Sequence, residues 1–142
     1  MIFLDYKTEL DSNGQFTIEL SDVTEGEIGL VSFSIPNINQ RGKVTNCLDI
    51  SCAEIDQSYE NPKRLLKRLV FEELHDKQSI NHWESSGLIQ FRPISTFNKR
   101  LTFKVKRTYE ETVPRFHRSV LNNSLLITFA LRPINSETKW CA

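Results

Sequence analysis

The sequence predicts an all-β domain, a jelly-roll β-sandwich of two antiparallel sheets. Three observations predict it: short segments alternate apolar and polar residues, turn signals separate these segments, and only one segment has helical periodicity. The chain has 142 residues, 39% of them hydrophobic and 25% charged, which matches one globular domain. We therefore expect residues 1–142 to form a single sandwich with a polar tail from about residue 134.

The first two strands are predicted on either side of a tight turn. Residues 16–20 alternate apolar and polar side chains directly after the turn signal of residues 11–14, which ends in glycine. Leu4 and Tyr6 indicate a strand before that turn.

The third strand is predicted over residues 28–35. Val31, Phe33 and Ile35 share one face, and the serines between them share the other. Since proline cannot donate to a strand ladder, we expect Pro36 to end this strand.

The fourth strand, over residues 47–55, places Cys52 on its apolar face. The three cysteines, Cys47, Cys52 and Cys141, are an odd number without the spacing of a disulfide framework, which is typical of reduced thiols. The first residues contain no signal sequence and no run of apolar residues long enough to span a membrane. We therefore expect free cysteines in a protein that is intracellular, in the cytoplasm or nucleus, and not secreted.

Residues 62–75 are the one segment whose apolar residues have helical periodicity. Pro62 suits the first turn of a helix, and apolar residues form one helical stripe with basic residues outside it. The members of the stripe are Leu65, Leu66, Leu69, Val70 and Leu74. Taken alone, this pattern predicts one short helix.

Three more strands are predicted towards the end of the chain. Residues 88–94, 101–106 and 125–131 alternate apolar and polar side chains, and Pro133 ends the last of them before the polar tail. Residues 107–123 are too many for a hairpin turn and predict a long loop.

The net charge is zero, but the two halves of the chain have opposite charge. Residues 1–62 contain 3 bases and 11 acids, a net charge of −8, whereas residues 63–142 contain 15 bases and 7 acids, a net charge of +8. Two arrangements are open. The halves form an acidic and a basic face that attract neighbouring copies head to tail, or they interleave across a sheet so that the charges cancel.

No pattern in the sequence predicts catalysis, a metal site or a cofactor. His75, His82 and His117 occur without a nucleophile elbow of the form G-x-S-x-G, the glycines are scattered singly, and the cysteine and histidine spacings do not match a zinc site. A thiol nucleophile would need Cys52 or Cys141 close to His82, and Cys52 faces the predicted core. We therefore expect a domain that binds or assembles and is not an enzyme.

Two surface clusters are candidate binding sites. Lys104 and Lys106 share the outward face of strand 101–106 and form a basic face. Because the neighbouring Phe103 faces the core and offers no stacking surface, this pattern favours a solvated sheet face over a nucleic-acid site. The second cluster combines aromatic and basic residues of the 107–123 loop: Tyr109, Arg115, Phe116, His117 and Arg118.

Several short motifs also occur in a characteristic order between about residues 10 and 132. They are a glycine-led apolar strand that runs into proline, a second apolar strand, a polar turn, a leucine-pair segment, an aromatic-proline strand and a closing strand. In this chain they are residues 26–39, 48–52, Asn61, 65–70, 91–94 and 101–105. The order resembles that of the single-jelly-roll minor capsid (penton) proteins of Maverick/Polinton elements, adintovirus-like viruses and virophages. Residues 107–111 differ from the acidic-glycine turn of that family.

The resemblance implies a structural role without chemistry. Copies of the chain would form a ring-shaped capsomer, a pentamer, beside a major capsid protein at the vertices of an icosahedral virion. The resemblance also implies a strand over residues 65–70, so helix and strand both stay open there. The alternative class is a monomeric binding module that recognises a protein, glycan or nucleic-acid partner through its loops.

Overall fold

The computed structural model describes residues 1–20, 25–38, 44–73, 78–95, 99–111 and 124–133. Within these ranges the chain forms nine strands and no helix, which confirms the predicted all-β class. The strands are β1 (Ile2–Glu9), β2 (Gln15–Glu19), β3 (Glu25–Ile38), β4 (Val44–Cys52), β5 (Leu65–Glu73), β6 (Gln78–Glu84), β7 (Phe91–Ser95), β8 (Arg100–Glu111) and β9 (Ser124–Arg132).

The strands form two antiparallel sheets that pack face to face. Sheet 1 has the order β1-β9-β3-β6, and sheet 2 has the order β2-β8-β4-β5. β7 also belongs to sheet 1, since it pairs with the first part of β3 while β6 pairs with the last part. β6 and β7 together therefore occupy one strand position, and the two sheets have the wrapped strand order of a jelly roll.

The core between the sheets contains a row of aromatic rings that links them. Phe129 of sheet 1 lies 5.4 Å from Phe103 of sheet 2, measured between ring centroids. Tyr6 stacks on Phe129 at 5.8 Å, and Phe16 stacks on Phe103 at 4.9 Å. Phe103 and Phe129 are fully buried, so the row crosses the centre of the sandwich from β1 to β2.

Residues 65–73 form strand β5, so the strand alternative for this segment holds and the helix alternative is wrong over the described residues 62–73. β5 pairs with β4 along its length, and the register shifts near its start, where β5 carries one extra residue. This bulge allows Leu66 and Leu69 both to face the core. A spacing of three between buried leucines imitates a helical stripe, whereas Val70, another member of that stripe, is 64% exposed.

A second bulge changes the core face of β3. The register with β9 shifts between Leu30 and Ser32, so Val31 is the extra residue. Leu30 therefore shares the core face with Phe33, and the prediction that Val31 does so is wrong.

Pro36 does not end β3, contrary to the prediction. The strand continues to Ile38 and pairs with β6 over this stretch. The described ladder with β9 ends at Ser34, so Pro36 lies where β3 is paired on one side. A proline without an N–H group is tolerated at such a position.

Three strands in the second half of the chain differ from the predicted strands. β6 (Gln78–Glu84) was not predicted, and β7 begins at Phe91, three residues later than expected. β8 continues to Glu111, so the first part of the predicted 107–123 loop is strand. Residues 112–123 lie outside the described part of the chain.

Candidate binding surfaces

The outer face of sheet 2 contains the predicted basic cluster. Lys104 and Lys106 are exposed on β8, and Phe103 and Val105, which alternate with them, are buried, as the alternation predicts. The register places Lys104 beside Ser51 and Lys106 beside Asp49, both on β4. Neither lysine has an ion-pair partner among the residues that the structure describes, so both ammonium groups are available to a ligand or a partner.

The neighbouring carboxylate of Asp49 is already occupied by Arg68. Nε and one terminal nitrogen of Arg68 donate hydrogen bonds of 2.6 and 3.0 Å to the two carboxylate oxygens. These hydrogen bonds, followed by the charges of Arg68, Lys63 and Lys106, lower the pKa of Asp49 against the opposing effect of burial. Both carboxylate oxygens of Asp49 are thus taken by Arg68, and Lys106, which lies opposite in the register, interacts with Asp49 through its charge without an ion pair.

The outer face of sheet 1 carries a row of charged side chains on its edge strand. Asp5, Lys7 and Glu9 are exposed and alternate with inward residues along β1. Thr128 donates a hydrogen bond of 2.6 Å to Asp5, and Ser124 donates one of 3.4 Å to Glu9. Hydroxyl groups orient these carboxylates without neutralising their charge.

The outward strand residues whose side chains are described give the two faces opposite net charge. On sheet 1 there are four carboxylates and two cations, so the net charge is 2 − 4 = −2: Asp5, Glu9, Glu27, Glu84, Lys7 and Arg132. On sheet 2 there are four cations and two carboxylates, so the net charge is 4 − 2 = +2: Arg68, Arg100, Lys104, Lys106, Glu19 and Asp49. We call these surfaces the acidic face and the basic face.

The strand order explains why neither face carries the charge of one half of the chain. Three cross-strand pairs each join an acid from residues 1–62 to a base from residues 63–142: Asp49–Arg68 at 2.6 Å, Glu19–Arg100 at 3.3 Å and Glu27–Arg132 at 2.9 Å. In both sheets, strands from the first half alternate with strands from the second half. The halves therefore interleave, and only a residual difference separates the faces.

The predicted aromatic and basic loop cluster lies mainly outside the described residues. Arg115, Phe116, His117 and Arg118 all belong to residues 112–123. Tyr109 lies on β8, where its backbone pairs with that of β4. It is thus a strand residue near the end of sheet 2 and not a loop residue.

A hydrogen-bonded row that was not predicted from the sequence lies on the acidic face. Ser34 Oγ contacts Nδ1 of His82, and Nε2 of His82 lies 2.9 Å from Oε1 of Glu84. These are the group types of a hydrolytic triad, but the row lies on the outer surface of a sheet. β3 is paired on both sides at Ser34, so the backbone N–H groups there are used in the ladders and form no oxyanion hole. The row is a surface hydrogen-bond network.

Cys52 is not placed to act as a nucleophile. It is fully buried in the core, and burial raises the pKa of its thiol to about 12. A thiol with that pKa is almost entirely protonated at neutral pH. Cys52 faces inward from sheet 2 whereas His82 faces outward from sheet 1, so the suggested pairing with His82 is wrong. Cys47 and Cys52 are both free, and Cys141 lies outside the described residues.

A cleft of about 650 Å³ lies beside the β4–β5 connection. Its lining consists of residues 53–57 together with Arg64, Ser95 and Arg100. Much of its charge is used inside the fold: Glu54 accepts a hydrogen bond of 2.6 Å from the backbone N–H of Thr102, and Nε of Arg64 donates one of 3.1 Å to the carbonyl of Ile55. Arg100 pairs with a carboxylate of β2. The cleft is therefore polar and nearly balanced in charge.

No family model, curated protein or solved structure matches this chain. In the described ranges, no group of three or more His, Cys, Asp or Glu side chains is arranged to hold a metal ion. The same ranges contain no helix long and apolar enough to cross a membrane.

Proposed function

We propose that this chain is a structural capsid protein, a single jelly roll whose copies assemble into a ring-shaped, pentameric capsomer at the vertices of an icosahedral particle. The strand order carries the proposal: β1-β9-β3-β6 packs against β2-β8-β4-β5. Jelly rolls of this kind are the building domains of many viral capsids. The order of the sequence motifs, which resembles that of minor capsid proteins, supports the same role.

Assembly needs a rigid subunit with two different surfaces that fit one another. The close-packed aromatic row between the sheets supplies rigidity. A ring forms when one surface of each copy binds a different surface of the next copy and the rotation closes. The acidic and basic faces provide two such surfaces on opposite sides of the sandwich. In this role the protein acts without a cofactor, in a virion, with a major capsid protein as its neighbour.

Native mass spectrometry of the purified chain across a salt series tests this function. We expect a closed oligomer of five subunits that dissociates as salt screens the charged contacts. Light scattering after size exclusion gives the mass in solution, and negative-stain electron microscopy shows the ring. A monomer at every concentration and salt level would overturn the proposal.

A monomeric binding module is the second candidate function. The two exposed ammonium groups of Lys104 and Lys106 favour it, because such a pair also suits an anionic ligand. Jelly rolls serve as lectin domains as well as capsid domains. If the chain is monomeric, retention on heparin or nucleic acid that is lost in Lys104→Ala/Lys106→Ala would establish this alternative.

A further inference from the structure

We infer that the copies contact one another through their sheet faces, with the basic face of one copy packed on the acidic face of the next. This inference rests on the proposed function and deepens it, because it assigns the contact surfaces, their orientation and the residues that select the neighbour. Lys104 and Lys106 of one copy lie against the Asp5 and Glu9 end of the acidic face on the next.

The charges of the basic face determine what can cover it. Lys104 and Lys106 are exposed, and the carboxylate opposite Lys106 in the register, that of Asp49, is held by Arg68 at 2.6 Å. Covering two ammonium groups without new partners removes them from water at a large free-energy cost. The covering surface must therefore bring carboxylates of its own.

The acidic face supplies carboxylates of the required kind. Asp5 and Glu9 are exposed on β1 and hydrogen-bond to the hydroxyl groups of Thr128 and Ser124. A hydroxyl donor fixes the position of a carboxylate and leaves its negative charge for a partner. A lysine from a neighbouring copy can thus form an ion pair without displacing an existing cation.

Each face is large enough for a stable contact between copies. A strand of nine residues such as β9 is about 31 Å long, and four strands are about 19 Å wide, so each face covers roughly 600 Å². Two such faces together bury about 1,200 Å², the lower bound for a standard stable interface.

Exposed apolar side chains lie on both faces. Phe3 and Leu126 point outward from sheet 1 and are 56% and 54% exposed. Val70 points outward from sheet 2 beside Cys47 and is 64% exposed. Burial of these groups adds the apolar area that the core of a protein interface contains. The two faces are therefore complementary in charge and both contain apolar area.

Charge reversal on each face, separately and together, tests the inference. We expect Lys104→Glu/Lys106→Glu and Asp5→Lys/Glu9→Lys each to weaken assembly at low salt by at least about 100-fold, because each variant brings like charges together. The quadruple variant that combines these four substitutions restores complementarity with reversed polarity, so it is expected to form the ring again. Lys99→Glu, in a turn outside both faces, serves as the control and should assemble normally.

Native mass spectrometry reports the oligomer of each variant, and circular dichroism reports whether each variant is folded. A wild-type chain that stays monomeric overturns the proposed function, and the inference with it. If the wild type forms rings and the double variants form them equally well, the capsid role stands and the face contact is wrong. Failure of the folded quadruple variant to recover assembly also overturns the face contact, since the two sites then do not meet.

Discussion

Replacement of Phe103 by leucine tests whether the aromatic row holds the two sheets together. Phe103 is fully buried and contacts two rings, at 4.9 Å to Phe16 and 5.4 Å to Phe129. Leucine keeps most of the apolar character of the side chain but removes both ring–ring contacts, which contribute about 0.5–1.5 kcal/mol each. We therefore expect Phe103→Leu to lower the free energy of unfolding by about 2 kcal/mol, or the Tm by about 8 °C.

Urea unfolding followed by circular dichroism measures this change. High salt in the assay screens contacts between copies, and an unchanged denaturant slope shows that the change is one of stability alone. The control is Phe3→Leu, whose ring is 56% exposed on the acidic face, and we expect it to change stability by less than about 0.5 kcal/mol. Equal unfolding midpoints for the two variants would refute the role assigned to the aromatic row.

Three more predictions concern single residues. Cys52 should resist a water-soluble thiol reagent in the native protein and react after unfolding, because its thiol is buried and has a pKa of about 12. Peptide mass spectrometry locates the label, and rapid labelling of Cys52 in the native protein would contradict this prediction. Asp49→Asn should lower stability at neutral pH but much less in acid. The hydrogen bonds from Arg68 lower the pKa of Asp49 in the folded state. Their contribution to the free energy of unfolding is therefore present above the unfolded pKa of about 3.9 and is lost as the pH falls through the folded pKa. If the urea unfolding curves of the wild type and the variant stay equally far apart in acid, this explanation is wrong. Gly14→Ala should destabilise by at least about 1 kcal/mol more than Gly87→Ala. Both glycines have positive φ, but only at Gly14 would a Cβ atom lie 2.7 Å from a backbone oxygen, that of Val105. Equal changes in Tm for the two variants would exclude this close contact as the cause.

The two β-bulges explain the main errors in the predicted strands. In β3 and β5 an extra residue breaks the period of two, so core residues lie three apart at Leu30 and Phe33 and at Leu66 and Leu69. A spacing of three is also the spacing of a helical face. Local periodicity therefore cannot separate a bulged strand from a helix, and pairing with β4 decides the structure of β5.

The missed strand β6 shows the same dependence on tertiary structure. Residues 78–84 lack a clear alternation in sequence, and they become a strand by pairing with the last part of β3. That pairing also brings His82 and Glu84 into line with Ser34. The network could not be found from the sequence, because its members are 48 residues apart and its register depends on an unpredicted strand.

The basic face was predicted correctly on β8, because this strand is regular. The alternation of residues 101–106 placed Lys104 and Lys106 outside and Phe103 inside, and β8 has this arrangement. The acidic face was not predicted as a surface, because its charged residues come from strands that are far apart in sequence. Asp5 of β1, for instance, lies beside Thr128 of β9.

The sequence by itself determined the all-β class, most strand positions and the inward or outward direction of side chains on regular strands. These properties depend on neighbours two residues apart, whose alternation the chain carries locally. The tertiary structure alone decided the strand order, the bulges and the final distribution of charge. Strands of opposite charge, such as β2 and β8 or β3 and β9, become neighbours only when the chain wraps into the jelly roll. Three ion pairs then join acids of the first half to bases of the second half, and the described outward side chains leave one weakly acidic and one weakly basic face.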